Sequence, residues 1–317
     1  MNLKKVLKII LPLILGGFLV WYSISKVSID TLLQYFKNAN YWWISLGLFF
    51  GILSHLSRAY RWKFLLEPMG YKPDFGNSIM AVLVAYLVNY AVPRAGEVSR
   101  AAVMTNYEDI PFEKGFGTIV AERIADLLMM LIIITFTLFV QFDFIYELLT
   151  KNFDPTKIGI GLLLLFISGF IFTRYVKKAQ SGIGLKIKNF ISGLIEGATS
   201  IFKMKNKWAF IFHTVFIWLM YIAMFWATIP AVENLNVPFG AVLIGFIAGG
   251  FSIAATNGGI GLYPIAVAGA FALFGIPEEP ASAFGWIMWT AQTAMIIVFG
   301  GLAFLMLPLY NKNKKTS

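Results

Sequence analysis

Two short stretches put charge where the chain is otherwise apolar. The first, NYAVPRAGEVSRAA at 89–102, places Arg94, Glu97 and Arg100 directly behind an apolar run at 79–88, with Pro93 and Gly96 breaking the run. The second, ERIAD at 122–126, sets Glu122 and Asp126 four residues apart on one helix face, with Arg123 at its edge. A charged side chain at the centre of a bilayer costs about 2.5–3.5 kcal/mol, so the six groups left unpaired would cost roughly 15–20 kcal/mol. Three arginines and three acids sum to zero, so each carboxylate can be held by a guanidinium fork within one buried network. Such a network either holds helices together or also offers its charges to a polar substrate, and the residues alone leave both open. Glu97 has a plainer reading besides, as an acid in a first helical turn favoured by the helix dipole.

A third stretch, NGGIG at 257–261, carries no charge but has the composition of an anion cradle. Helices are expected to begin after Gly96 and after Gly261, so two sets of N-terminal amides, together with a nest formed by Asn257, Gly258, Gly259 and Gly261, suit a phosphate. The same glycines also read as a simple helix break. The remaining candidates are sparse. His55 and His213 stand in separate apolar segments without metal-ligand spacing, and Gln292 sits in WTAQTA, so all three read as interhelical hydrogen bonders. No nucleophile stands beside a base and no phosphate-binding P-loop occurs, so no enzyme activity, cofactor or metal is expected, and any movement of a substrate is passive or ion-coupled. The absence of cysteine removes disulfides, thiolate metal sites and cysteine nucleophiles.

The elements that must position these motifs follow from composition. With 58% apolar residues, 16% aromatics, 13% charged residues and a mean hydropathy of +0.74, the chain reads as an all-α polytopic membrane protein. Its net charge of +10 does not point to nucleic acid, because the basic residues cluster between apolar stretches, which is how membrane topology is encoded. Six full spans are expected at 6–24, 41–60, 116–141, 158–173, 208–230 and 281–309, with two interrupted stretches at 75–104 and 239–275. Most of the 26 Lys and Arg residues lie near 4–8, 58–72, 174–207 and 312–315. Placing all four groups in the cytoplasm requires each interrupted stretch to return to the side it left, as a re-entrant or broken-helix hairpin. Both termini are then cytoplasmic. The segment at 6–24 reads as an uncleaved anchor or as a signal peptide ending near Ser23 and Ser25.

The two hairpins begin alike, with Phe-Gly, an apolar run of about four turns, a break at Pro or Gly, and a resumed helix. Three spans separate them, which reverses the second relative to the first and makes an inverted repeat. Paired Gly/Pro-interrupted segments of opposite orientation point to a transporter binding site at the repeat interface. The whole chain, 1–317, reads as a single transmembrane domain. Within it, 176–207 forms an amphipathic cytoplasmic segment that lies on the membrane surface or packs on the protein, and 311–317 forms a basic tail.

PRAGEVSRA, ERIAD and NGGIG in that order resemble the flippase-like transmembrane family typified by the membrane region of lysylphosphatidylglycerol synthases, over about residues 5–310. The resemblance implies a multispan lipid translocator of the bacterial plasma membrane. The matching positions are Pro93, Arg94, Gly96, Glu97 and Arg100, then Glu122, Arg123 and Asp126, then Gly258, Gly259 and Gly261. Many relatives begin the third motif with Pro and later carry Glu, where this chain has Asn257 and Pro264, and an aminoacyl-transferring domain is not expected after the last span. The expected substrate is a membrane lipid whose headgroup bears phosphate or other negative charge, while a cationic headgroup would use Glu97, Glu122 and Asp126. The alternative is a non-transporting scaffold that partners a lipid-modifying transferase, with an intramembrane enzyme third.

Overall fold

The structure is a computed structural model that describes residues 3–92, 94–152, 154–178, 180–188, 192, 201 and 204–312. All regular secondary structure among those residues is helical. Helix α1 (Leu3–Lys26) is followed by α2 (Ile29–Asn38) and α3 (Tyr41–Leu66). Ser28 and Asn40 start the latter two by accepting the amides of Thr31 and Trp42 on their side chains. Then come α4 (Phe75–Ala91), α5 (Gly96–Glu108), α6 (Phe112–Val140), α7 (Phe142–Asn152) and α8 (Pro155–Lys178). The series ends with α9 (Lys207–Thr228), α10 (Phe239–Ala255), α11 (Leu262–Ala272) and α12 (Glu278–Tyr310).

Every expected full span falls on a helix. Among the described residues four helical stretches, 112–140, 159–178, 207–231 and 278–310, are long and apolar enough to cross a membrane by length and composition. The protein is an all-α polytopic membrane protein. Two of the stretches expected between spans hold short helices, α2 and α7, of 10 and 11 residues. The amphipathic segment expected at 176–207 falls partly outside the described residues, as do Pro93 and most of the expected tail at 311–317.

The chain divides into two compact units, residues 1–122 with 208–317, and residues 123–207. The smaller unit holds the rest of α6 with α7 and α8, and α8 is exposed along nearly its whole apolar length. The larger unit contains both interrupted hairpins. Its core gathers Phe225 of α9, Phe271 of α11 and Phe284 of α12, with ring centroids 5.0 Å apart for Phe225–Phe284 and 5.5 Å for Phe271–Phe284. Such aromatic pairs add about 0.5–1.5 kcal/mol each beyond their buried area, and the Phe271–Phe284 pair joins the second hairpin to α12.

Both interrupted stretches fold as helical hairpins, α4 against α5 and α10 against α11. Their first legs are each 17 residues, about 25 Å of helix. The return legs are shorter, 13 and 11 residues, about 16–20 Å. A hydrocarbon core is about 30 Å thick, so neither return leg alone spans it.

The open end of the first hairpin is tied to the C-terminal end of α12. Asn77 and Asn311, 0% and 3% exposed, exchange amide hydrogen bonds of 2.8 and 2.7 Å. Asn77 also donates to Glu108 Oε1, Glu108 Oε2 accepts the Asp74 amide at 3.0 Å, and the Tyr310 hydroxyl donates to Asp74 at 3.0 Å. Both legs of the hairpin and α12 thereby meet in one polar knot.

Candidate functional site

The charged motifs meet around one carboxylate. Arg100 of α5 donates through Nη1 to Glu122 Oε2 of α6 at 2.5 Å, and both side chains are buried. The Arg100 guanidinium also lies 3.7 Å from the centre of the Trp62 ring of α3. Trp62 Nε1 in turn donates to Thr118 of α6 at 2.8 Å. A cation over an indole face in a desolvated site contributes about 2 kcal/mol.

Residues expected in a basic loop complete this centre. Arg61 lies in α3, fully buried, with Nε 3.5 Å from Glu122 Oε1 and Nη1 donating to Thr214 of α9 at 2.8 Å. Arg58, one turn earlier, is 2% exposed. The expected span 41–60 stopped too early, because α3 continues to Leu66 and carries these guanidiniums inward. The signal was legible: Ser54, Ser57, Arg58 and Arg61 recur at three- and four-residue spacing, a polar face on an otherwise apolar helix. The neutral sum of six charges therefore omitted two arginines. Glu122 joins α3, α5 and α6 directly and α9 through Arg61.

The other members of the charged motifs are placed differently. Arg123 Nη1 and Asp126 Oδ2 are 3.4 Å apart, one turn along the same helix, in the smaller unit. Arg94 is exposed, in the break between α4 and α5, with φ +60°. Glu97 is half-buried in the first turn of α5, the position its plainer reading gave it. The amide of Gly96 is already taken: Asn89 Oδ1 accepts it at 2.8 Å. The expectation of free amides at both helix starts is corrected at this position, because the last turn of α4 reaches across the break and caps α5.

The glycine turn is built by its backbone. Gly258, Gly259 and Gly261 have φ of +64°, +83° and +68°. The amides of Ile260, Leu262 and Tyr263 are bonded back to Asn257, Ile260 and Gly259 carbonyls at 3.4, 2.8 and 2.8 Å, so the turn closes on itself. Trp289 of α12 donates its indole N–H to the Gly258 carbonyl at 2.8 Å and pins the turn. The tips of the two hairpins touch. A Cβ on Gly258 would lie 2.7 Å from Tyr90 Cδ1 and 2.9 Å from Tyr90 Cζ, so the tyrosine ring of the first hairpin occupies that space.

The histidines are both in helix contacts. His213 Nδ1 shares a 2.8 Å hydrogen bond with Ser57, the interhelical bond its sequence setting suggested. His55 packs on Tyr86, ring centroids 4.6 Å apart, and Tyr86 shares a 3.1 Å hydroxyl bond with Tyr221. Neither His55 Nδ1 nor Gln292 Nε2 has a hydrogen-bond partner among the described residues, which departs from the expectation for both. Among those residues no group of three or more His, Asp or Glu side chains is arranged to hold a metal ion.

The family described as "Lysylphosphatidylglycerol synthase TM region" matches residues 9–301. A UPF0104 membrane protein of Methanocaldococcus jannaschii is 23% identical over 345 residues, 98% of this chain and 98% of that protein. A glycosyltransferase of Haloferax volcanii, AglD, is 32% identical over 78 residues, 24% of this chain and 12% of that protein. No solved structure matches.

Proposed function

Because the chain belongs to the family of the lysylphosphatidylglycerol synthase TM region, we propose that it translocates a lipid, sheltering the headgroup at the hairpin tips while the acyl chains stay in the bilayer. The observation that carries this reading is the tip-to-tip meeting of two interrupted hairpins, Tyr90 against Gly258, with the exposed Arg94 four residues beyond Tyr90. Irregular backbone at membrane depth persists only where protein or an aqueous cavity satisfies it, and paired interrupted segments are where transporters bind substrate. Arg94 favours a phosphate-bearing headgroup, whose oxygens match a guanidinium fork. Asn257, Gly258, Gly259 and Gly261 supply the opposing surface. Glu122, with Arg100 and Arg61, holds the helices that carry the first tip.

The test is a flip assay with purified, monodisperse protein in vesicles of phosphatidylcholine and fluorescent phosphatidylglycerol. Arg94→Ala is expected to lower the rate at least tenfold, and Arg94→Lys, which keeps the charge but loses the fork, to retain part of it. Wild-type rates in Arg94→Ala would remove the site from this place. Absence of flipping in the wild type across anionic, zwitterionic and polyprenyl phosphate lipids would favour the second reading, a membrane subunit that assists a transferase. That reading draws on the similarity to a protein named a glycosyltransferase.

The proposed setting is the plasma membrane, with both termini and the loops around 109–113 and 180 in the cytoplasm. Single cysteines at Glu113 and Gln180, both exposed positions in a cysteine-free chain, report on this directly. An impermeant maleimide added to intact cells is expected to leave both unlabelled until the membrane is opened. Ready labelling from outside would overturn the topology.

A further inference from the structure

Tyr90 stands in the last turn of α4, half-buried, with its ring over Gly258 and its hydroxyl 3.2 Å from Thr293 Oγ1 of α12. Thr293 lies one helical turn from Trp289, whose indole holds the Gly258 carbonyl. The ring therefore closes the seam between the hairpin tips, latched on one side to α12 and seated on the other in space that only a missing side chain leaves open. Arg94 is exposed just past the end of this helix, while Asn257 and Gly258 are partly covered. The two halves of the proposed headgroup site are thus separated by one aromatic side chain whose only hydrogen bond among the described residues is a single hydroxyl contact.

The geometry points to Tyr90 as a gate: a headgroup reaches the 257–261 turn only after the ring leaves Gly258 and breaks its bond to Thr293. This rests on the reading of the tips as the headgroup site. Tyrosine suits the task because its ring fills the seam as a rigid plate turning on two bonds, and its hydroxyl gives a closed position worth one neutral hydrogen bond. Gly258 is required on the opposite side, since any side chain there would meet the ring and would also be strained at φ +64°.

The experiment measures access and transport separately. Asn257→Cys in the cysteine-free chain, reconstituted in phosphatidylcholine and phosphatidylglycerol vesicles, is reacted with a water-soluble maleimide. Adding Tyr90→Phe keeps the plate but removes the latch, and labelling is expected to accelerate about fivefold, the equilibrium worth of one neutral hydrogen bond. Thr293→Val should match it, the two together should add nothing further, and Thr293→Ser should keep the parent rate, a pattern that loss of packing alone does not give. Tyr90→Ala should accelerate labelling more than tenfold. Labelling within twofold of the parent in both Tyr90→Phe and Tyr90→Ala overturns the gate. Flipping of fluorescent phosphatidylglycerol by the chain with Asn257 intact, in vesicles of the same lipids, tests the transport reading by itself, because labelling reports the ring's position whether or not a lipid moves.

Discussion

Glu122→Ala is expected to destabilise the protein in detergent by about 3–5 kcal/mol, the range seen when one partner of a buried ion pair is removed. The cause is the charge left behind. Arg100 and Arg61 both face this carboxylate, and both are buried, so deleting it removes the negative charge that two guanidiniums share in a low-dielectric interior. Glu122→Gln keeps the shape and isolates the electrostatic part, and should cost nearly as much. Exchanging the charges with Arg100→Glu and Glu122→Arg should recover only a fraction, because Arg61 then meets a like charge. Thermal unfolding followed by a tryptophan signal measures all three variants. A melting profile unchanged in Glu122→Ala would show that this centre does not hold α3, α5 and α6 together.

Gly96→Ala should be nearly as damaging, and for a steric reason. A Cβ at this position runs into the Ala85 carbonyl oxygen and lies 2.6 Å from Asn89 Nδ2, so α5 has to move off α4. Overpacking of this kind costs about 1–3 kcal/mol, and displacing Asn89 from the Gly96 amide adds about 1 kcal/mol. Gly117→Ala is the control: nothing lies within 4 Å of its Cβ, and in the second turn of α6 alanine should be neutral or stabilising by up to about 1 kcal/mol. Equal melting temperatures for the two alanine variants would contradict the close approach of the hairpin legs. Because the first hairpin carries Arg94 and Tyr90, Gly96→Ala should also slow lipid flipping where Gly117→Ala does not.

Much of this architecture was legible in the residues because membrane segments announce themselves by length and hydropathy. The interrupted hairpins were found by the same logic, since Pro93 with Gly96 and the 257–261 glycines break runs that otherwise read as spans. That Arg100 pairs with Glu122 or Asp126 is an expectation that follows from the cost of leaving either charge alone in apolar surroundings, and the structure pairs it with Glu122. What escaped notice was of another kind. The expected span 41–60 ends just before Arg61 and groups Arg58 with the basic residues that mark a loop, whereas a helix can carry buried arginines when a partner such as Glu122 lies on a neighbouring helix. Helix α2 was missed because ten residues with a serine cap look like a polar loop at the scale of a hydropathy window. Tyr90 carries no sequence signal as a site residue, since its role depends on where Gly258 and Thr293 come to rest, and these are contacts across more than 160 residues that periodicity does not reveal.

The reciprocal amide bond between Asn77 and Asn311 joins residues 234 positions apart. At a synthesis rate of 5–20 residues per second, roughly 10–50 s pass between the emergence of one partner and of the other. During that interval Asn77 stands on a helix whose buried neighbours include Met80, Ala81 and Val84, with its eventual partner still unmade. The base of the first hairpin therefore cannot reach its final form during insertion. Glu108, from the same hairpin, is available much earlier and accepts from Asn77, so it is placed to chaperone that amide until Asn311 arrives. Biogenesis of this protein accordingly ends with a late exchange at one polar knot, in which an early, local partner is joined by a distant one and the first-made part of the chain is locked by the last-made helix.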